Sequence, residues 1–128
     1  MAATVMVIDD EIHIRRLIAR MLELAGYQVV EAANGPQALQ LMRETRPDVI
    51  TCDIAMPGMN GFQVLEAVKS QPETAGIPII MLTALGQEKD ANRAMDLGAA
   101  DYITKPFGSI DLVERIERQL AGGGKGND

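Results

Sequence analysis

The texture of its apolar runs constrains this chain most. Thr4–Ile8 reads Thr-Val-Met-Val-Ile, Asp48–Cys52 reads Asp-Val-Ile-Thr-Cys, and Ile77–Leu82 reads Ile-Pro-Ile-Ile-Met-Leu. These runs are continuous rather than alternating. A strand with one wet face alternates, whereas a strand covered on both faces does not. Gln28–Glu31 and Asp101–Thr104 bring the predicted strands to five. A helical stretch follows each one, so the chain reads as an α/β domain, a parallel sheet with helices on both faces in three α/β/α layers.

The helices carry their own marks. Ile14, Leu17, Ile18, Met21 and Ala25 form the expected inner stripe of the first, with Arg15, Arg16, Arg20 and Glu23 mostly on its other faces. Gly26 is its expected left-handed C-terminal residue. Asn34-Gly35-Pro36 makes a turn, with Pro36 suited to the first helical position. Ala38, Leu39, Leu41 and Met42 face inward from the second helix, and Phe62, Val64, Leu65 and Val68 from the third. The fourth, around Glu88 to Leu97, offers mainly Ala91, Ala94 and Met95 and is expected to pack least firmly. Leu112, Val113, Ile116 and Leu120 mark the fifth. Residues 1–121 form one expected domain, and the glycine-rich residues 122–128 an expected flexible tail or linker remnant. The strand pattern alone fits a sheet order of 2-1-3-4-5 or a longer Rossmann-like order.

Composition narrows the function classes. A net charge of -6 argues against direct nucleic-acid contact, which needs clustered Lys and Arg. The opening residues lack a signal-peptide pattern, and no apolar run approaches the ~20 residues of a membrane helix. With one cysteine, Cys52, read as a buried structural thiol, the expectation is a soluble cytoplasmic chain.

Polar residues fall where the strands end: Asp9 and Asp10 after the first, Asp53 after the third, Thr83 after the fourth, Lys105 after the fifth. In a parallel sheet these ends share one rim, where open α/β sheets bind ligands. Singly, each has a plain reading: Asp10 as a helix cap, Thr83 as a β-branched strand residue, Lys105 as a solvated charge. Together they form a site. Clustered carboxylates repel and raise one another's pKa, a conflict that Mg²⁺, a hard cation with oxygen ligands, relieves. Lys105 offers a point charge and Thr83 a hydroxyl to phosphoryl oxygens. An ionised Asp53 can then act as nucleophile and form an acyl phosphate.

Asp9-Asp10, Asp53 with Met56-Pro57-Gly58-Met59-Asn60-Gly61, Thr83-Ala84, and Tyr102 with Lys105-Pro106-Phe107 together resemble the receiver domain of bacterial two-component response regulators, including the chemotaxis regulators. The matching residues span positions 4 to 120. The resemblance implies a flavodoxin-like, doubly wound sheet of order 2-1-3-4-5. It implies that Asp53 takes a phosphoryl group from a sensor histidine kinase or phosphotransfer protein. It also implies Mg²⁺ bound by Asp10 and Asp53, by Asp9 mostly through water, and by the backbone carbonyl of Ala55. Lys105 would pair with the phosphoryl group, and its bond to Pro106 would be cis. Thr83 and Tyr102 would switch, reshaping the face of the fourth helix, fifth strand and fifth helix for a downstream protein. Asn60 stands where the family more often has Asp. Ala55 and Leu85 stand where the family tunes phosphoryl lifetime. Neither side chain can hold a water by hydrogen bonding, so self-dephosphorylation is expected to be slow.

Three other readings are weaker. A haloacid-dehalogenase-type phosphatase needs a second acid where Ala55 stands. A nucleotide- or flavin-binding domain needs a glycine-rich phosphate loop where Asp9-Asp10-Glu11 stands. A phosphorylation-independent binding module would not need the complete Asp, Thr and Lys set. Asp96, Asp101 and Arg115 resemble residues with which some receivers pair, so a monomer or a phosphorylation-promoted dimer is expected. The single domain is not expected to be an enzyme in the turnover sense.

Overall fold

A computed structural model describes residues 2–125, with side chains described through residue 122. Its elements are β1 (Thr4–Ile8), α1 (Ile12–Leu24), β2 (Gln28–Ala32), α2 (Gly35–Glu44), β3 (Val49–Asp53), α3 (Gly61–Lys69), β4 (Ile79–Ala84), α4 (Glu88–Asp96), β5 (Asp101–Lys105) and α5 (Ser109–Lys125). All strand pairs are parallel, in the order β2-β1-β3-β4-β5. This is the flavodoxin-like order. α5 runs past residue 121, and residues 126–128 of the expected tail lie outside the described residues.

The unbroken runs are explained by two cores. Successive side chains of a strand point to opposite faces. Met6, Ile8, Ile50, Cys52, Ile79 and Met81 pack with residues of α2 and α3 on one face. Val5, Val7, Val49, Ile80, Leu82 and Ile103 pack with α1 and α5 on the other. Neither face meets water, so both alternating sets are apolar. α4 buries Ala91 and Ala94, the shallow contact expected of it, and Arg93 adds a cation–π contact with its guanidinium 4.2 Å from the Phe62 ring centroid on α3.

Three local readings shift. α1 buries Ile18, Ala19 and Leu22, whereas Leu17 is 53% exposed and Ala25 is exposed. The packed stripe is therefore turned from the predicted one. Leu17 instead borders an open apolar recess of about 400 Å³ with Ile14, Met21, Leu85 and Phe107. β4 begins at Ile79 because Pro78 has no N–H to give the ladder, although its carbonyl accepts from Ile50 N–H at 3.0 Å. Gly35 takes the first position of α2 and Pro36 the second, under an Asn34 cap that accepts from Gln37 N–H at 2.8 Å. Gly26 does close α1, at φ +99°. Among the described residues, no helix is long and apolar enough to cross a membrane.

β3 and β5 each run one residue beyond prediction, so Asp53 and Lys105 are the last residues of their strands. Leu82 pairs with Asp53, and Ala84 with Lys105. β3 and the edge strand β5 thereby carry Asp53 and Lys105 to the same rim as the end of β1.

Candidate functional site

Asp9 leaves the end of β1 and is fixed on several sides. Its N–H donates to the Ala32 carbonyl at 3.2 Å, and its Oδ1 accepts from Glu11 N–H at 2.9 Å. Its carbonyl accepts from Arg15 Nη1 at 3.0 Å. Only 1% of the residue is exposed, and Oδ2 has no hydrogen-bond partner. Among the described residues one other buried side-chain oxygen shares that condition, Thr51 Oγ1, which lies within β3.

Asp10 is exposed and Asp53 half-buried; carboxylate oxygens of Asp9, Asp10 and Asp53 lie within 4.8 Å of one another. Lys105 reaches this cluster from β5, with Nζ 3.4 Å from Asp53 Oδ1 and 3.8 Å from Asp9 Oδ2. Burial raises the pKa of both Asp9 and Asp53 above the ordinary carboxylate value. At Asp53 the nearby Lys105 opposes that rise, the Asp9 charge adds to it, and a backbone hydrogen bond from Ala55 opposes it again. At Asp9 the opposing influences are the Glu11 N–H and then Lys105. One lysine thus pairs with two of the three clustered acids. A desolvated carboxylate oxygen with no donor, beside two more carboxylates, fits a hard divalent cation, which takes oxygen ligands and needs no donor hydrogen.

Two glycine-dependent contacts shape the loop after Asp53. Gly61 opens α3 so close to β3 that a Cβ would lie 2.5 Å from the Asp53 carbonyl oxygen and 2.6 Å from Ile54 Cα. Its N–H donates to the Ile54 carbonyl at 2.9 Å. Asn60 caps the helix in a reciprocal box with Gln63, so Asn serves at this position. Ala55 is exposed in this loop, and Gly58 holds φ +72°.

Thr83 is buried, and its hydroxyl donates to the Gln87 carbonyl at 3.4 Å. Tyr102 is 37% exposed. Between them Ala84, Gln87, Ala91 and Thr104 help enclose a cavity of about 70 Å³. The Lys105–Pro106 bond is cis, as expected. Cys52 is buried, and its Sγ donates to the Asp53 carbonyl at 3.4 Å; burial first, and then the Asp53 and Asp9 charges, push its thiol pKa up. Asp101 and Arg115 are joined within the chain, at 3.0 and 3.1 Å, and Arg115 also binds Asp111 and the Tyr102 carbonyl.

The profile described as the response regulator receiver domain matches residues 5–117. The chain belongs to that family. Over 124 residues this receiver is 42% identical to the phosphate regulon transcriptional regulatory protein PhoB of Pseudomonas aeruginosa, covering 97% of this chain and 54% of that protein. It therefore spans about half the length of the curated relatives it matches. The chemotaxis protein CheY4 of Vibrio cholerae superposes on the receiver with a TM-score of 0.88 at 36% identity, covering 94% of this chain and 100% of that one. NtrX from Brucella abortus superposes at 0.93 with 31% identity, covering 99% of this chain and 28% of that one.

The receiver brings Asp9, Asp10, Asp53 and Lys105 together as the sequence predicts, and it places Thr83 just beyond the residue paired with Asp53. Sequence reasoning passes over Arg15, Gln87 and the backbone N–H of Glu11. Two of these act through main-chain atoms, which leave no mark on residue identity. Arg15 is a charge at helical spacing and reads as solvated, yet its side chain is 12% exposed.

Proposed function

We propose that this receiver is a phosphoacceptor switch in which Asp53 takes a phosphoryl group from the phosphohistidine of a sensor kinase or phosphotransfer protein. The observation that carries this reading is the Asp53 carboxylate at the end of β3, with Lys105 at 3.4 Å and two further carboxylates close by. An Asp53 oxygen attacks phosphorus and forms the O–P bond as the P–N bond to the imidazole breaks. The leaving imidazole takes the electron pair and a proton from water. Lys105 offers its charge to the phosphoryl oxygens, where it counts most as charge develops. Asp9, Asp10, Asp53 and the Ala55 carbonyl would hold Mg²⁺, which supplies the divalent charge that lets three carboxylates and a phosphoryl group share one rim.

The signal leaves the site through Thr83 and Tyr102. The Thr83 hydroxyl, given to Gln87 at 3.4 Å, would be given instead to a phosphoryl oxygen. Tyr102 would move toward the cavity beside it, and the face formed by α4, β5 and α5 would change for a downstream protein. A phosphatase reading lacks its second acid, because Ala55 offers no proton. Ala55 and Leu85 also leave no side chain to orient a hydrolytic water, so the acyl phosphate should persist.

Intact mass spectrometry of the protein with acetyl phosphate and Mg²⁺, against Asp53→Asn, tests the reading. A phosphate-sized gain in wild type alone, decaying over minutes or longer after donor removal, is expected. No gain, or an equal gain in both, overturns the phosphoacceptor role. Decay within seconds overturns the long lifetime.

A further inference from the structure

The main chain at the end of β1 is held by a residue that lies outside the acidic cluster. Arg15, on the first turn of α1, donates from Nη1 to the Asp9 carbonyl at 3.0 Å and from Nε to Glu31 Oε1 at 3.0 Å. Glu31 is on β2 and pairs in register with Val7 of β1. One planar guanidinium therefore joins α1, the end of β1 and the end of β2. The Arg15 side chain is 12% exposed and Glu31 30%. Its neighbour Arg16 also meets Glu31, at 3.5 Å, but is 70% exposed, and it is Arg15 that bonds the Asp9 carbonyl.

We propose that Arg15 is a positioning residue of the acidic site, setting the Asp9 carboxylate for cation binding by fixing the Asp9 carbonyl. The inference rests on the metal-binding part of the proposed function. Asp9 has four anchorable groups: its N–H is held by Ala32, Oδ1 by the Glu11 N–H, and the carbonyl by Arg15, which leaves Oδ2 at the rim with no hydrogen bond and only the Lys105 charge, 3.8 Å away. Two of these anchors are main-chain groups that side-chain truncation leaves in place. Arg15 is the side chain on which the set depends. Partners one bond removed from a metal ligand govern affinity by orienting it, and their loss costs about 10–100-fold.

Charge alone predicts the opposite sign, which makes the test sharp. Removing a nearby positive charge should strengthen cation binding if Arg15 acts only through its field. Removing an anchor should weaken it. Calorimetric titration of the full chain with MgCl₂ alone, with no phosphoryl donor, compares wild type, Arg15→Ala, Arg15→Lys and Arg16→Ala. Thermal unfolding checks that each is folded at the titration temperature. The expected result is about tenfold weaker Mg²⁺ binding in Arg15→Ala. Arg15→Lys keeps the charge but lacks the fork that spans Asp9 and Glu31, and should also weaken binding. Arg16→Ala, which removes the same charge beside the same Glu31, should bind as tightly as wild type or more tightly. If Arg15→Ala does not fold, Arg15→Lys against Arg16→Ala decides the matter. Unchanged or tighter binding in Arg15→Ala and Arg15→Lys overturns the positioning role and leaves the metal reading intact. Absence of Mg²⁺ binding by wild type overturns both.

Discussion

At the scale of single residues, the site is a set of groups held in unfavourable protonation states. Asp9 and Asp53 sit above the 3.8 of a free carboxylate, chiefly because burial disfavours the ion. Between 3.8 and the raised values the folded protein binds more protons than the unfolded chain. The contribution of these two acids to stability then falls as pH rises through that window. Urea unfolding of the metal-free protein from pH 4 to pH 7 should show this loss, and Asp53→Asn should flatten it and raise the midpoint at pH 7. Parallel pH profiles for the two proteins would remove Asp53 as a source of the strain. The acids themselves are legible in the sequence because each interrupts or ends an apolar run. Their anchors are not legible. The Glu11 N–H and the Gln87 carbonyl belong to the backbone, and Arg15 finds its partners only after α1 has docked.

At the scale of elements, the strands are read more faithfully than the helices that cover them. A strand's two faces alternate residue by residue, so continuous apolarity states that both are covered. A helix can rotate without breaking its period, and α1 does so, burying Ala19 and Leu22 while Leu17 borders a recess. Which way it turns depends on α5 and the sheet, which sequence spacing in α1 does not describe. The contact between α3 and β3 is of another kind, since it depends on a missing side chain. Gly61→Ala would place a Cβ against the Asp53 carbonyl and Ile54 Cα, both backbone atoms. Overpacking of this kind costs about 1–3 kcal/mol. The expected outcome is a lower urea midpoint together with weaker Mg²⁺ binding, since the Asp53 main chain must move. A wild-type midpoint would show that α3 can shift freely.

At the scale of the whole molecule, the rim exists only when β1, β3, β4 and β5 have assembled. A ligand that binds there binds the folded state alone and should stabilise all of it. At a Mg²⁺ concentration 100 times its dissociation constant, the gain should be about 2.7 kcal/mol. It should appear as a rise in the urea midpoint of wild type and shrink in Asp53→Asn. Equal midpoints with and without Mg²⁺ would show that the cluster does not take the ion. The sheet order stood beyond the reach of the strand pattern, because parallel crossovers of similar length permit more than one order. It followed from the site residues and the family resemblance they carry. The order also has a consequence in time. Lys105, the cation nearest the acids, belongs to the last strand. A ribosome adding roughly 5–20 residues per second makes it about 3–10 s after Asp53. For that interval the nascent chain holds all three acids of the rim and lacks its lysine. Because the rim assembles only with its last strand, neither the cation site nor the phosphoacceptor is complete until synthesis has passed Lys105.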